Sequence, residues 1–547
     1  MERKPLLIPA VRQPLRLIFL SLALCCFLSA HAQHHDDAYM RSILSIQQQI
    51  ESGDLDGART EIQSAAKQFP SDGGLDNLLG VIEAQQGHDN AARQAFLSAV
   101  RHDPQLTAAY LNLSRIDMQS ARNDAAIRAE ALQMSREVVQ RDAANDEAHY
   151  QIATIDAWEK KYLLSLIELK KLSPQAQSSV TAQSLTCQAH LSLGHREASE
   201  EAVHRLAANK DLNEQDAEAC LSALRAARRP ALIEELLSAS AAQHPLSPQG
   251  LRMLGLAQEA DGKLAQARAT LEAAFAGDST SAAILIDLTR VARVAGDNQS
   301  ALGYLAHARD LQPKNATLPY EFGVICLQMG LYAESRKAIG EALKIEPDSP
   351  EYNLGMGLVV SYSEDPSQAM PYLQKYQAMQ PHDPRGSLAL GSTYFRTRDY
   401  DTATKWLKQA TQDASTAAEA HYYLGRVARQ QGRTSEALKE LRESLRLHPD
   451  QASVLAELGQ IEVTQQNYPD ASAHLGRAVR LDPDNYGANY GLLLLYAHTN
   501  DPRRQEQAKR FEEVKDKKDA RDLEMTRSFE IRRDGTSNQP DESPKLK

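Results

Sequence analysis

The chain has 547 residues and a formal net charge of −11, with 61 Lys and Arg against 72 Asp and Glu. Nucleic-acid phosphates are bound by a concentrated excess of Lys and Arg, so this acidic balance argues against DNA or RNA as a partner. A hydrophobic content of 42% with only 5% aromatic residues is typical of a helical protein rich in Ala and Leu. No window alternates apolar and polar residues as a half-buried strand would, and we expect an all-α fold.

The first 32 residues have the pattern of a secretory signal peptide. Four basic residues precede the apolar run Leu17–Leu28, and the small-residue motif Ala30-His31-Ala32 follows it. This order predicts cleavage after Ala32 and export, with the mature chain periplasmic or secreted. Residues 33–38 then form a short polar leader, and we expect no direct membrane insertion after cleavage.

Two alternatives to cleavage stay open. One is retention of the segment as an N-terminal anchor, although an apolar run of about twelve residues is short for a membrane span. The other is lipid attachment at Cys25 or Cys26, which the bulky Leu24 before them disfavours.

A 34-residue register organises the chain from Tyr39 to Lys518. Repeats begin at Tyr39 and Gly73, and the stretch 107–247 is less regular, with about five extra residues around Ala121–Arg128. From residue 248 to 485 seven regular repeats follow one another, beginning at Pro248, Ala282, Ala316, Pro350, Pro384, Ala418 and Ala452.

The regular repeats carry the same residue types at fixed positions. With the first residue as position 1, six of the seven have Leu-Gly or a similar pair at positions 7 and 8. All seven have a small residue at 20 and a large aliphatic residue at 24, and five have Pro at 32. In the repeat from Ala418 these residues are Leu424-Gly425, Ala437, Leu441 and Pro449.

These positions describe a helical hairpin. Positions 4, 7, 8 and 11 share one face of a first helix, and positions 20, 24 and 27 share one face of a second. Small residues at 8 and 20 allow the two backbones to approach, and the large residue at 24 fills the space beside the crossing. Proline ends the second helix, and a polar residue before the next repeat caps its first helix; Asn315, Ser349, Asp383 and Asn485 stand at that place.

The C-terminal end differs from the regular repeats. Residues 486–518 form a capping pair whose first helix is apolar and whose second is mostly charged, because a terminal repeat must offer solvent a polar face. Residues 519–547 mix charge with Gly, Ser and Pro, which predicts a disordered tail after a short charged helix.

The period and the recurring residues together resemble the tetratricopeptide repeat (TPR) family. The resemblance implies a right-handed superhelical α-solenoid of about thirteen helical hairpins, spanning residues 39–518. Such hairpins cannot bury their apolar faces alone, and stacking on neighbours provides the core.

Cysteine is sparse beyond the leader. Cys187 and Cys220 stand at positions 8 and 7 of adjacent repeats, and Cys326 is the third. An odd number at irregular spacing does not describe a disulfide framework. Burial as small apolar side chains is the favoured interpretation, and a Cys187–Cys220 bridge in an oxidising compartment stays open.

No motif predicts catalysis, a cofactor or a metal site, and we expect a protein that is not an enzyme. Ser64 and Lys67 have S-x-x-K spacing without the surrounding motifs of that enzyme class. A terminal Gln33-His34-His35 could chelate Cu(II) or Ni(II) only with a free amine, and a flexible leader is the simpler interpretation. An enzyme hidden between residues 146 and 246 is the least favoured hypothesis, since its histidines are scattered: His149, His190, His195 and His204.

The resemblance also implies a binding face. In TPR proteins the first helices line a concave groove, and ligand contacts come from positions near 2, 5, 9 and 12. Here those positions combine Arg with aromatic residues, which suit a carboxylate-bearing peptide. The candidate peptide-binding residues are Arg252, Arg290, Arg293, Tyr320, Tyr362, Phe395, Arg396, Tyr422, Arg426 and Arg429.

The alternative is that these are ordinary solvated helix residues with packed stems. Glutamates on the same face dilute its charge, and the N-terminal half offers a blander face. The leading hypothesis is an exported, non-enzymatic scaffold that binds a protein or peptide partner of unknown identity in its concave groove. A structural subunit of a bacterial envelope assembly or polysaccharide-export machine is the alternative.

Overall fold

The structure is a computed structural model that describes the backbone of residues 37–362 and 365–530 and the side chains of residues 39–362 and 365–518. The predicted signal peptide, most of the leader and the tail beyond residue 530 lie outside the described residues. Within them the chain is almost entirely helical and contains no strand, which confirms the all-α prediction. None of the described helices combines the length and apolarity that a membrane span requires.

The chain divides into two compact units, one up to Gly277 and the other from Asp278 onward. We call them unit 1 and unit 2. The sequence predicts one array over 39–518, and the 34-residue register gives no sign of the division, because it runs unchanged from Pro248 to Ala282.

Unit 1 consists of seven helical hairpins and one extra short helix. The hairpins pair α1 with α2, α3 with α4, α5 with α6, α7 with α8, α10 with α11, α12 with α13, and α14 with α15. The helices are α1 Asp37–Ser52, α2 Leu55–Gln68, α3 Gly73–Gln85, α4 Asp89–His102, α5 Thr107–Ala121, α6 Ala125–Arg141, α7 Asp146–Trp158, α8 Tyr162–Leu169, α9 Pro174–Gln177, α10 Val180–Ser192, α11 Arg196–Ala207, α12 Glu218–Ala226, α13 Pro230–Gln243, α14 Pro248–Ala260 and α15 Leu264–Gly277.

Unit 2 consists of seven further hairpins, α16 with α17 through α28 with α29, and a 3₁₀ turn at Pro366–Ala369 before α21. The fourteen hairpins of the described chain compare with the thirteen or so predicted. The helices are α16 Ala282–Val294, α17 Asn298–Leu311, α18 Thr317–Gln328, α19 Tyr332–Ile345, α20 Pro350–Ser361, α21 Met370–Met379, α22 Pro384–Arg396, α23 Tyr400–Ala410, α24 Ala414–Gln430, α25 Thr434–Leu447, α26 Ala452–Thr464, α27 Tyr468–Leu481, α28 Tyr486–His498 and α29 Arg504–Glu530.

One boundary differs from the sequence-based ones, and the extra residues near 121–128 are located. They lengthen α5 to 15 residues and α6 to 17. The last helix, α29, continues to Glu530, past the boundary predicted at residue 518. Its many Glu, Lys, Arg and Ala residues are good helix formers, which explains the extension.

The close helix crossing predicted at positions 8 and 20 is present. A Cβ atom added at Gly425 would lie 2.7 Å from Leu441 Cγ, and one added at Gly323 would lie 2.6 Å from Ile339 Cγ1. Carbon atoms in ordinary contact are about 3.5–4.0 Å apart, so a larger residue does not fit there without rearrangement. The aliphatic side chains at position 24 are fully buried, as expected for the centre of each hairpin.

Of the four predicted helix caps, two accept the expected backbone hydrogen bond. Asp383 accepts from the Arg385 amide at the start of α22, and Asn485 accepts from the Ala488 amide at the start of α28. Ser349 occupies the capping place without a side-chain hydrogen bond. Asn315 stands one residue before the cap position of α18, and its side chain accepts from the amide of Thr317, the first residue of that helix.

A disulfide joins Cys187 on α10 to Cys220 on α12, with their Cα atoms 5.4 Å apart. The favoured prediction of two unbonded thiols is therefore wrong, although both side chains are buried as predicted. Positions 8 and 7 of neighbouring first helices bring the two residues face to face. Cys326 is a free, buried thiol, and burial raises its pKa to about 11.

Candidate functional site

The predicted site residues other than Arg252 belong to unit 2, on or directly after first helices. Arg290 and Arg293 lie on α16, Tyr320 on α18 and Tyr362 just after α20. The others lie on two later first helices, with Phe395 and Arg396 on α22 and Tyr422, Arg426 and Arg429 on α24. Arg252 is half-buried on α14 of unit 1 and is described separately from the rest. The structure thus groups most of the predicted residues along consecutive first helices of one unit.

Tyr362 and Arg396 form the most open pair on this face. The Arg396 guanidinium lies 4.1 Å from the centroid of the Tyr362 ring, and Tyr362 is 40% exposed. The Tyr332 ring stacks on Tyr362 from α19, at 5.7 Å between centroids. Among the described residues Arg396 forms no ion pair, so its charge stays available to a carboxylate.

Arg426 stands over aromatic rings on α22 and α24. Its guanidinium is 4.6 Å from the centroid of Phe395 and 5.5 Å from that of Tyr422. Phe395 is only 9% exposed and packs beneath the face, whereas Tyr422 is partly exposed. Burial raises the pKa of the Tyr422 hydroxyl to about 12, so it remains a protonated donor at neutral pH.

The charge of Arg426 and Arg429 is already engaged within unit 2. Glu457 on α26 approaches Arg426 Nε at 3.5 Å and also accepts from Arg429. Arg429 donates a second hydrogen bond to Gln460, at 3.0 Å, and Gln460 donates in turn to the Gly487 carbonyl. For these two arginines the structure supports the packing interpretation, since they join α24 to α26.

The arginines of α16 differ from each other. Arg290 donates to Asp287 one turn earlier, at 2.9 Å. Arg293 lies in the last turn of α16, is exposed, and forms no ion pair among the described residues. A cation in the last turn is favoured by the helix dipole.

A second cluster, which the sequence did not single out, lies at the starts of first helices. Arg385 donates to Glu351 at 2.9 Å and to Asp383 at 2.7 Å, and the Tyr376 hydroxyl donates to Asp383 at 2.7 Å. The hydrogen bonds from Arg385 are the main reason why the pKa of Asp383 falls to about 2. Arg385 stands at position 2 of its repeat, which is one of the ligand-contact positions named above. That position could have identified it from the sequence.

Tyr320 belongs to the same end of the face. Its ring lies 4.7 Å from the Tyr352 ring, and burial raises the pKa of its hydroxyl. The two tyrosines fill the space between α18 and α20, and Tyr320 also covers Gly355.

A chain of buried polar residues links three first helices of unit 1. Buried Asn112 donates to Asn77 at 3.0 Å, and Arg115 donates to Asn112 at 2.9 Å and to Glu147 at 2.5 Å. These groups continue from α3 through α5 to α7. Arg115 stands at position 9 of its repeat, which is one of the ligand-contact positions implied by the resemblance, but it is buried here.

A second buried network lies beside the first. The hydroxyls of Ser114 and Ser135 are 2.7 Å apart, and both lie within hydrogen-bond distance of the Gln151 side-chain oxygen. Because each polar atom there has a partner, the network fixes α5, α6 and α7 relative to one another.

The histidines of the irregular region do not form a catalytic or metal-binding cluster. His149 contacts Glu168 at 2.7 Å, and His204 contacts Glu235 at 2.6 Å. His190 and His195 contact each other, with their Nδ1 atoms 3.2 Å apart. Across the described residues no three His, Cys, Asp or Glu side chains come close enough to hold a metal ion.

Serial helical hairpins, with a glycine at the crossing in six of the seven regular repeats, define the class of an α-helical repeat protein. Family models described as tetratricopeptide repeat match residues 292–357 and 428–494, and a second such model matches residues 47–107. A model described as anaphase-promoting complex, cyclosome, subunit 3 matches residues 365–444. The chain belongs to the tetratricopeptide repeat family.

The chain is similar to several known proteins over part of its length. It is 23% identical to the human protein O-mannosyl-transferase TMTC1 over 37% of this chain and 23% of that protein. It is 24% identical to the type IV pilus assembly protein PilF of Pseudomonas aeruginosa over 28% of this chain and 61% of that protein. The chain thus spans less than two thirds of either relative.

Among solved structures, a tetratricopeptide repeat protein from Parabacteroides merdae is similar over 45% of this chain and 98% of its own. The identity is 16% and the TM-score 0.43. The APC/C hetero-tetramer Cut9-Hcn1 is similar over 83% of this chain and 96% of that chain, with 14% identity and a TM-score of 0.37.

Proposed function

We propose that the protein is an exported, non-enzymatic scaffold that binds an extended peptide segment on the first-helix face of unit 2. The observation that carries this proposal is the Tyr362–Arg396 pair. A guanidinium stacked on a tyrosine ring is held in place, and its outer edge can donate two hydrogen bonds to a carboxylate. The exposed ring of Tyr362 beside it supplies an apolar anchor for a neighbouring side chain.

The surroundings suit an extended ligand rather than a small molecule. Arg293 adds an exposed cation on α16 of the same unit, and the partly exposed Tyr422 continues the face on α24. Peptide recognition by aromatic and Arg side chains concentrates binding energy in a few such residues. The ion pairs of Glu457 hold α24 and α26 together, which keeps the face ordered before a ligand arrives.

The disulfide supports the export part of the proposal. Disulfides persist in secreted and periplasmic proteins and are rare in reducing compartments. A bond between Cys187 and Cys220 therefore agrees with the signal-peptide pattern of residues 1–32. N-terminal sequencing of the mature protein from culture supernatant and periplasm would test both the cleavage site and the location.

A peptide-display selection on residues 33–547 tests the binding proposal. We expect enrichment of acidic peptides that carry an aromatic or aliphatic residue near the carboxylate. Arg396→Glu should weaken the selected peptides at least tenfold, because it replaces an attractive charge with a repulsive one. Tyr362→Ala should weaken them by a similar factor.

Lys408→Glu is the matched control, since it makes the same change of charge as Arg396→Glu. Lys408 is exposed on the second helix of the same hairpin. It should leave affinity within about twofold. If peptides bind the Arg396→Glu and Lys408→Glu variants equally well, the first-helix face of unit 2 is not the binding site.

The second candidate function is a structural subunit of a bacterial envelope assembly. The similarity to the pilus assembly protein PilF favours it, because that relative's name describes an assembly role. Native electrophoresis of envelope extract should then show the chain in a stable, defined complex. Migration as a single chain under mild extraction would count against this candidate.

A further inference from the structure

The second helix of the fourth hairpin is shorter than the others in unit 1. Helix α8 has 8 residues, whereas its counterparts have between 12 and 17. Pro174 lacks a backbone donor and disfavours a helical conformation for Ser173 before it, so the chain restarts as the four-residue α9. The missing turns leave a cleft of about 400 Å³ between α8, α9, α10 and α11.

The lining of this cleft has one sign of charge. Its charged or ionisable side chains are Lys170, His190 and Arg205, and no carboxylate lines it. Leu166 and Leu169 of α8 supply an apolar wall. In a chain with a net charge of −11, a cleft whose charged side chains are all basic is a local exception.

Among the described residues, only one of the basic groups has a carboxylate within ion-pair distance. Lys170 forms no ion pair within the described part of the chain, and the closest carboxylate to Arg205 is the exposed Glu201, at 4.0 Å. The pKa of His190 is lowered by burial first, and then by the positive charges of His195, Lys170 and Arg205, against a smaller opposing effect of Glu201. Of these effects, the positive charges also favour a bound anion.

The rim of the cleft is held in place by hydrogen bonds. The Gln177 side chain donates to the Leu172 carbonyl at 2.8 Å, which anchors α9 to the end of α8. On the other side Asn209 donates to the Ser178 carbonyl at 2.9 Å and to the Gln183 side chain at 3.1 Å. The cleft is thus formed before a ligand binds, and binding need not order the chain.

We propose that this cleft binds a small organic anion, with a carboxylate or phosphate head between Lys170, His190 and Arg205 and a short apolar body against Leu166 and Leu169. The two heads share the same chemistry, since either accepts charge-assisted hydrogen bonds from these donors. The cleft lies in unit 1 and is independent of the peptide-binding proposal for unit 2.

Calorimetric titration of the full chain tests the proposal, with hexanoate, hexyl phosphate and 1-hexanol as probes. We expect saturable one-to-one binding of at least one of the two anions and at least tenfold weaker binding of the alcohol. Lys170→Gln and Arg205→Gln should each weaken the anion about tenfold. Both residues are exposed, so neither change threatens folding.

Lys171→Gln is the matched control, because Lys171 is the adjacent lysine, lies outside the cleft lining and pairs with Glu168 at 2.8 Å. It should leave the affinity unchanged. A second readout is the His190 ring signal in NMR, whose pKa should rise when the anion saturates the cleft.

Three results would overturn the proposal. They are the absence of saturable binding by both anions, equal affinity for 1-hexanol, and equal weakening by the Lys170 and Lys171 substitutions. A preference between hexanoate and hexyl phosphate would identify which head the cleft takes.

Discussion

Gly323→Ala tests the physical basis of the repeat, which is the close crossing of two helices at a glycine. A Cβ atom at this position of α18 would lie 2.6 Å from Ile339 Cγ1 and 3.0 Å from the Ser335 carbonyl oxygen. Ile339 is fully buried and branched at Cβ, so its side chain has little freedom to move aside. The Ser335 carbonyl oxygen has still less freedom to move, because it belongs to the backbone of α19.

The expected magnitude follows from two opposing effects. Overpacking a well-filled core costs about 1–3 kcal/mol, and replacing glycine by alanine inside a helix gains about 1 kcal/mol. Gly323→Ala should therefore destabilise the hairpin by about 1 kcal/mol. Gly303 in the middle of α17 is the control, because a Cβ atom there meets nothing within 4 Å. Gly303→Ala should stabilise the hairpin by about 1 kcal/mol, because only the higher helix propensity of alanine contributes there.

Urea unfolding followed by circular dichroism would rank the two variants. Hydrogen exchange of the α18 and α19 amides would locate the effect, because long repeat arrays need not unfold as one cooperative unit. The free energies of unfolding of the two variants should differ by about 2 kcal/mol. Gly323→Ala should be less stable than the wild type, and Gly303→Ala should be more stable. If Gly323→Ala were as stable as Gly303→Ala, the crossing would not require glycine, and the packing argument for position 8 would be wrong.

Two further predictions concern the disulfide and an acid-sensitive cap. Alkylation of the unreduced, unfolded chain should label Cys326 and leave Cys187 and Cys220 unmodified. Replacing the bonded pair by serine should lower the free energy of unfolding of unit 1 by about 2–4 kcal/mol, measured by denaturant unfolding. Arg385 holds the pKa of Asp383 at about 2, so the stabilisation from this carboxylate is complete above about pH 4 and is lost as the pH falls through about 2. Asp383→Asn should remove that acid dependence from hydrogen exchange in α22, and an unchanged pH profile would contradict the assignment.

The sequence predicted most of the local structure because the determinants of a helical hairpin are local. Residues three and four apart define a helix face, and a proline after the second helix prevents that helix from continuing. The glycine at position 8 and the aliphatic residue at position 24 are only 16 residues apart, and their contact repeats in six of the seven regular hairpins. Cap residues such as Asp383 and Asn485 act on amides within a few residues.

The candidate site was predicted only in part. Repeat position identified the face on which Arg396 and Arg426 lie, since every repeat presents the same positions to the same side. The position of a residue within its repeat did not reveal which arginines are paired. Glu457 engages Arg426, whereas Arg396 has no carboxylate partner among the described residues. Such pairing joins residues about one repeat apart and depends on how two helices are packed.

Sequence alone therefore determined the helices, their pairing and the residues at each crossing, because periodicity and chain-breaking residues act over one or two turns. Tertiary structure decided what the spacing left open: the Cys187–Cys220 bond, the basic cleft beside the shortened α8, and the division at Gly277. Each of these depends on the distance between separate helices, and that distance is set by the packing of side chains from neighbouring repeats.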